Sequence, residues 1–225
     1  MGIIGKKFKT FFTLLKKSEI REILQTTTGY IVRVIKYRLD ELDVDSYILG
    51  RFKAKIPLKC KIANSMDMQL LFDHWPDSRE EYERHYEVYY HWGFKTCFLF
   101  YHRDTGEVVH FCFLLTYKDC PRIQRFLPTK KYIFLTSNSC AHHEWLYTFE
   151  KYRKLGICTQ ATDFIIKFCR HNGIKKLYSI RGASNVPSIR YADKVGYIPI
   201  ASIYQIQFFH QKRHSGFYIL KRLKK

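Results

Sequence analysis

The stretch Lys151-Tyr152-Arg153-Lys154-Leu155-Gly156-Ile157-Cys158 joins an apolar segment, His142 to Phe149, to a helix-patterned run, Ile157 to His171, that Asn172-Gly173 stops. A strand-to-helix turn leaves the first N–H groups of the helix without partners and aims them at one spot, where the helix dipole also favours negative charge. Gly156 lets an anion approach the backbone, and Lys151, Arg153 and Lys154 add positive charge. These residue types suit a pyrophosphate cradle, although most such basic turns with a single glycine are plain connections between elements. Further along, Asn185 stands at a second such junction, Pro187 fits the first turn of a short helix from Val186 to Val195, and Gly196-Tyr197 ends it. On the strand before the cradle, alternation predicts that His142, Glu144, Leu146 and Thr148 share one face. Glu144 is the first candidate for a general base and His142 or His143 the second, although a strand carboxylate also suits a salt bridge.

Other elements must position these groups. Residues 6–24 have Phe and Leu at helical spacing with lysines between them, which predicts a basic amphipathic helix that could dock on the rest of the chain or lie on an anionic membrane surface. Tyr30 to Leu39 has strand composition, and Asp40 to Asp45 reads as an acidic turn. From Leu58 the pattern predicts a strand over 59–63 and helices over 67–74 and 79–91. A hairpin over 96–102 and 108–117 turns at Asp104-Thr105-Gly106. The strand 142–149, the helix 157–171, a strand over 177–181, the helix 186–195 and strands over 197–209 and 217–220 follow. The expected boundaries are a basic N-terminal extension, 1–57, and a catalytic-type domain, 58–225.

Composition bounds the rest. The chain has 225 residues, 39 Lys plus Arg against 20 Asp plus Glu, and 46% hydrophobic residues. That hydrophobic content excludes a disordered chain. The charge is uneven: residues 62–150 carry 9 basic and 12 acidic residues, while 151–190 carry 9 basic and 1 acidic. Seven cysteines, an odd number with no Cys-x-x-Cys pair, read as reduced thiols of a cytoplasmic protein, with the inner membrane face as an option for residues 6–24. Metal binding is not expected, because the adjacent His142 and His143 point to opposite faces of a strand.

Arg-x-x-Gly-x-Cys before a helix, followed by Asn-x-x-Ser-x-x-Tyr-x-x-x-x-Gly-Tyr, resembles the GNAT superfamily of acyl-CoA-dependent N-acyltransferases. The likeness covers about Leu58 to Phe209 and departs from the family's turn at Cys158, where Gly or Ala is usual. The resemblance implies an α/β (α+β) fold, a mixed, mostly antiparallel central sheet flanked by helices, to which the basic N-terminal helical extension is added. It implies acetyl-CoA as acyl donor and a primary amine as acceptor. Backbone amides of Leu155, Gly156, Ile157, Cys158 and Thr159 would hold the pyrophosphate, flanked by Arg153 and Lys154. Asn185 would bond the pantetheine arm, with Ser188 beside it in the same motif. Tyr191 would be the general acid, a role open to a hydroxyl that ordinarily ionises near pH ~10. A backbone N–H around Leu146, Tyr147 and Thr148 would hold the thioester oxyanion.

The aromatic run Tyr82, Tyr86, Tyr89, Tyr90 and Trp92 reads as core or as an acceptor wall, and Asp77, Glu80, Glu81, Glu83 and Glu87 as a solvated helix face or a lure for a cationic acceptor. The strongly basic surface favours an anionic acceptor, such as an amino sugar linked to a nucleotide or lipid phosphate. A non-catalytic protein of this fold that binds nucleic acid or an anionic surface is the alternative, although no nucleic-acid motif is present. Acyl length, acceptor and oligomeric state are not legible.

Overall fold

The computed structural model describes residues 23–25, 31–126, 137–210 and 213–222. Most of the helix expected over 6–24, with its membrane option, lies outside these residues. Its last positions belong to strand β1 (Ile23–Gln25), which pairs antiparallel with β2 (Ile31–Asp43). The expected acidic turn begins later than read: β2 runs through Asp40 and Glu41, and Asp43 then caps a turn by accepting from Asp45 N and Ser46 N at 2.9 and 3.0 Å.

Chain contacts divide the molecule into two units. The first holds residues up to Leu39, Arg181–Asn185 and Ile200 onward. In it β2 lies beside β8 (Ile198–His210), which pairs antiparallel with β9 (Arg213–Arg222). Tyr37 Oη donates to Gln205 Oε1 at 2.8 Å, and Ala183 N donates to Lys36 O at 2.9 Å.

The second unit, Asp40–Ile180 with Val186–Pro199, carries the elements around the candidate cradle. Strands β3 (Leu58–Ile62), β4 (Cys97–His102), β5 (Val108–Thr116) and β6 (Cys140–Thr148) are successive antiparallel neighbours, and β7 (Lys176–Gly182) joins β6 in parallel. Phe98, Leu99, Phe100, Phe111, Cys112, Phe113 and Leu114 make the two central strands apolar on both faces, as strands covered on both sides must be.

One face is covered by α1 (Ser65–Asp73) and α2 (Arg79–Tyr86). Asn64 caps α1 with a reciprocal capping box to Asp67, and Ser78 caps α2. The second helix was expected to run α-helically to 91; instead Glu87–His91 is a π-helical turn, with Trp92 N donating to Glu87 O at 2.9 Å. The aromatic run packs inward. Tyr82 and Tyr86 stack at 5.5 Å and meet Phe72, while Trp75 touches Tyr82, His85, Phe111, Tyr147 and Phe149 with ring centroids 5.2 to 6.1 Å away. A helix absent from the sequence reading, α3 (Cys120–Phe126), follows a 3-10 turn in which Thr116 and Asp119 cap each other.

The opposite face is covered by α4 (Ile157–His171), whose Phe164 and Phe168 meet Phe100 and Phe98 at 5.7 and 5.1 Å. Its neighbour α5 (Val186–Val195) packs against it. Ile157, Ala161, Ile165, Ile166 and Cys169 form the buried stripe of α4. A strap, residues 44–57, runs along the same helix. Arg170 donates to the carbonyls of Val44 and Tyr47 at 2.9 and 2.6 Å, and buried Asp163 accepts from Tyr47 Oη at 2.9 Å and Gly50 N at 3.1 Å. Burial and the Asp163 carboxylate push the Tyr47 hydroxyl well above its ordinary range.

Two predictions follow from these contacts. Asp163→Ala strands the Tyr47 hydroxyl and the Gly50 amide, and should lower unfolding free energy by about 1–3 kcal/mol in a urea titration. Burial holds the His110 imidazole neutral, its pKa lowered from 6.5 to about 3. The unfolded chain therefore binds the proton first, and stability contributed by neutral His110 is complete above pH ~6.5 and is lost as the pH falls toward ~3. His110→Asn should shallow this acid limb; an unchanged limb would show that other groups set it.

Candidate active site

The site is built on an irregularity in β6. Its register to β5 pairs Glu144 with Phe113 and Tyr147 with Phe111, so Trp145 and Leu146 together stand opposite Cys112. This is a β-bulge, and Trp145 takes a left-handed φ of 48° that a non-glycine residue adopts only under constraint. Rings of Phe94, Phe113 and Trp92 at 5.5, 5.7 and 6.0 Å hold the Trp145 indole in place.

The bulge overturns the expected parity. His142 pairs with Leu115, so His142, Glu144 and Tyr147 share the α1–α2 face, and Leu146 and Thr148 do not continue it. Thr148 lies on the other face, opposite His110, with its Oγ1 2.8 Å from His110 Nδ1. One inserted residue shifts every later side chain to the opposite side. His143 also faces away from Glu144, and its Nδ1 lies 3.3 Å from Tyr197 Oη.

On its other side β6 pairs with β7 only over Cys140–Lys176, Ala141–Leu177 and His142–Tyr178. Where this ladder stops, the buried Glu144 carboxylate accepts from Ile180 N at 3.4 Å and lies 3.3 Å from His142 Nδ1. Thus the first base candidate sits where the pairing of two parallel strands ends, with one of the two alternatives against it.

The turn after β6 has the predicted form. Phe149 and the 3-10 turn Glu150–Tyr152 lead to Lys154 at φ 65° and Gly156 at φ 76°, and α4 begins at Ile157. No side chain caps the helix at Gly156. A Cβ there would suffer the positive φ and press to 3.3 Å from Lys53 O. An uncapped N-terminus headed by a glycine fits a phosphate-bearing ligand such as CoA. Leu155, Gly156 and Cys158 are half-buried, and Ile157 and Thr159 are buried. Thr159 Oγ1 donates back to Gly156 O at 2.7 Å.

Tyr191, on α5, reaches across to the first turns of α4. Its hydroxyl lies 2.7 Å from Thr162 Oγ1, which itself donates to Cys158 O at 3.1 Å. The proposed acid is thereby tied to the helix that the cradle heads. Ser188 is half-buried in the first turn of α5; Asn185, in the first unit, is exposed and its N donates to Gly182 O at 2.9 Å.

The charges at the turn are distributed differently from the sequence reading. Lys151 pairs with Glu107 at 3.2 Å. Arg153 pairs with Glu150 at 2.9 Å, donates to Thr148 O at 3.1 Å and lies 5.7 Å from the Tyr147 ring centroid. The acidic cluster is also engaged: Asp77 accepts from Tyr147 Oη at 2.7 Å and Glu150 N at 3.1 Å, while Glu81 and Glu83 pair with Arg84 and Arg79. Burial and Asp77 raise the Tyr147 hydroxyl above its ordinary range. Sequence reading missed His85, which is buried, 3.4 Å from Glu81 and packed on Phe111 and Tyr147; burial lowers its pKa against the opposing pull of Glu81.

The acetyltransferase (GNAT) family matches residues 67–197, more than half of the chain. No curated protein matches the sequence. Among solved structures, a GCN5-related glucosamine N-acetyltransferase region of a fungal multi-domain GH3 β-N-acetylglucosaminidase is similar with a TM-score of 0.61 at 13% identity, covering 92% of this chain and 23% of that one. A GCN5-related N-acetyltransferase from Sphaerobacter thermophilus has a TM-score of 0.55 at 10% identity, covering 95% and 56%. A conserved protein of unknown function from Staphylococcus epidermidis has 0.54 at 10%, covering 92% and 81%. The chain thus spans about a quarter of the first of these and just over half of the second. At such identities the likeness is one of fold, and it agrees with the family assignment: the chain belongs to the GNAT acetyltransferase family.

Proposed function

We propose that the protein transfers an acyl group, most simply acetyl, from CoA to a primary amine of a small anionic acceptor. The observation that carries this reading is the buried Glu144 carboxylate where the β6–β7 pairing ends, followed in sequence by the uncapped, glycine-headed N-terminus of α4. CoA supplies an activated acyl thioester. The amides of residues 155–159 bind its phosphates, with Lys154 beside them, and Ser188 serves the pantetheine arm.

Each proton then has an assigned holder. An acceptor amine attacks only when neutral, and Glu144 takes its proton directly or through water, oriented by His142 Nδ1 and Ile180 N. Tyr191 Oη, whose hydrogen is given to Thr162 Oγ1 because Thr162 donates to Cys158 O, turns that hydrogen to the leaving sulfur and protonates it. A main-chain N–H freed at the Trp145–Leu146 bulge answers the charge that develops on the carbonyl oxygen. The acceptor class follows from charge: the net +19 repels polyamines at long range, and the acidic residues of α2 pair with Arg79 and Arg84. An amino sugar on a nucleotide or lipid phosphate fits this field. The glucosamine in the fungal region's description is of the same chemical class.

The test is acetyl-CoA-dependent acetylation of a panel of amino-sugar nucleotides, amino-sugar phosphates and polyamines, read by product mass. Turnover of polyamines alone would overturn the anionic acceptor. Tyr191→Phe should cut kcat by about 10²-fold, and wild-type turnover in that variant would remove the hydroxyl from the mechanism. Glu144→Gln should flatten the acid limb of kcat/KM against pH, whereas an unaltered profile would eliminate Glu144 as the base.

A further inference from the structure

Two of the turn's three cations, Lys151 and Arg153, are held by Glu107 and Glu150. Lys154 remains, exposed and without an ion pair among the described residues. A CoA nucleotide brings a pyrophosphate and a 3′-phosphate, more charge than one lysine and a helix end balance. The structure supplies further cations from a distant part of the sequence, the strap.

The strap's last residues close over the head of α4. Lys55 N donates to Leu155 O at 2.8 Å, Ala54 N donates to Gln160 Oε1 at 2.9 Å, and Lys53 O lies where a Gly156 Cβ would meet it at 3.3 Å. These contacts fix the backbones of residues 53–55 against the residues assigned to the phosphates. Lys53 and Lys55 are exposed and carry no ion pair among the described residues. Both long side chains start from main chain in direct contact with Leu155 and Gly156, so a phosphoryl group at the cradle lies within their compass. Phe52, under the Lys194 ammonium at 5.4 Å, ties the same segment to α5. Residues 44–57 precede the segment that the family model matches, 67–197.

We propose that Lys53 and Lys55, with Lys154, form a cationic rim on the cradle and bind a phosphoryl group of the acyl donor's nucleotide. This rests on the CoA reading above. The experiment measures the Kd of CoA by calorimetry for the full-length wild type, for Lys53→Ala/Lys55→Ala, and for a charge-matched control, Lys59→Ala/Lys175→Ala. The strap variant should bind about tenfold more weakly with an unchanged Tm, the control should stay within about twofold, and the difference should shrink at high salt. In turnover, KM for acetyl-CoA should rise while kcat holds. Dephospho-CoA separates the two phosphate sources: a loss that vanishes with it assigns the lysines to the 3′-phosphate, and a loss that persists assigns them to the pyrophosphate. Equal Kd values for strap variant and control would overturn the rim while leaving the acyl-donor reading intact. A wild type that does not bind CoA would overturn that reading, and the rim with it.

Discussion

A β-strand offers hydrogen bonds on two edges, and β6 is required to use them differently. Toward β5 it stays paired to its end, but only by accepting an extra residue at Trp145–Leu146. Toward β7 it gives up pairing after His142. Buried main-chain groups released in this way need other partners, and the Glu144 carboxylate supplies one for Ile180 N. The strained φ of Trp145 costs free energy that a continuous ladder would avoid, and the aromatic rings around the indole offset it. The placement of Glu144 and of the helix N-terminus after it depends on this interrupted ladder.

Much of this was legible in the residues. The helix from Ile157 to His171 and the one from Val186 to Val195 were read to the residue, because Gly156, Asn172-Gly173 and Pro187 are local signals whose physics does not depend on the rest of the chain. The parity of β6 was misread because a bulge commonly shows itself by glycine, and here the left-handed position is filled by tryptophan. That choice is stable only in the company of Phe94 and Trp92, residues brought near by the fold. Helix α3 was passed over because its seven residues are too few for an apolar period to show. The π-helical turn after α2 likewise leaves no mark in composition.

Charge was the property least readable from sequence. A basic turn suggests an anion site, yet two of its three cations are paired with Glu107 and Glu150. Conversely, residues 44–57 were read only as part of an N-terminal extension, and the folded chain shows them bound along α4 by Arg170, Asp163 and Gln160. Net charge adds along the chain, but the field at a site depends on which charges remain unpaired after folding.

The π-helical turn and the β-bulge are both single-residue insertions, one in a helix and one in a strand, and their tryptophans meet: Trp92 follows the first and Trp145 lies within the second, with ring centroids 6.0 Å apart. Removing one residue from 87–91 would turn Trp92 by about 100° around the helix axis, away from its partner. Removing one from 145–146 would restore a regular ladder to β5 and take away the ring that Trp92 meets. The contact between the two tryptophans thus rests on both irregularities at once.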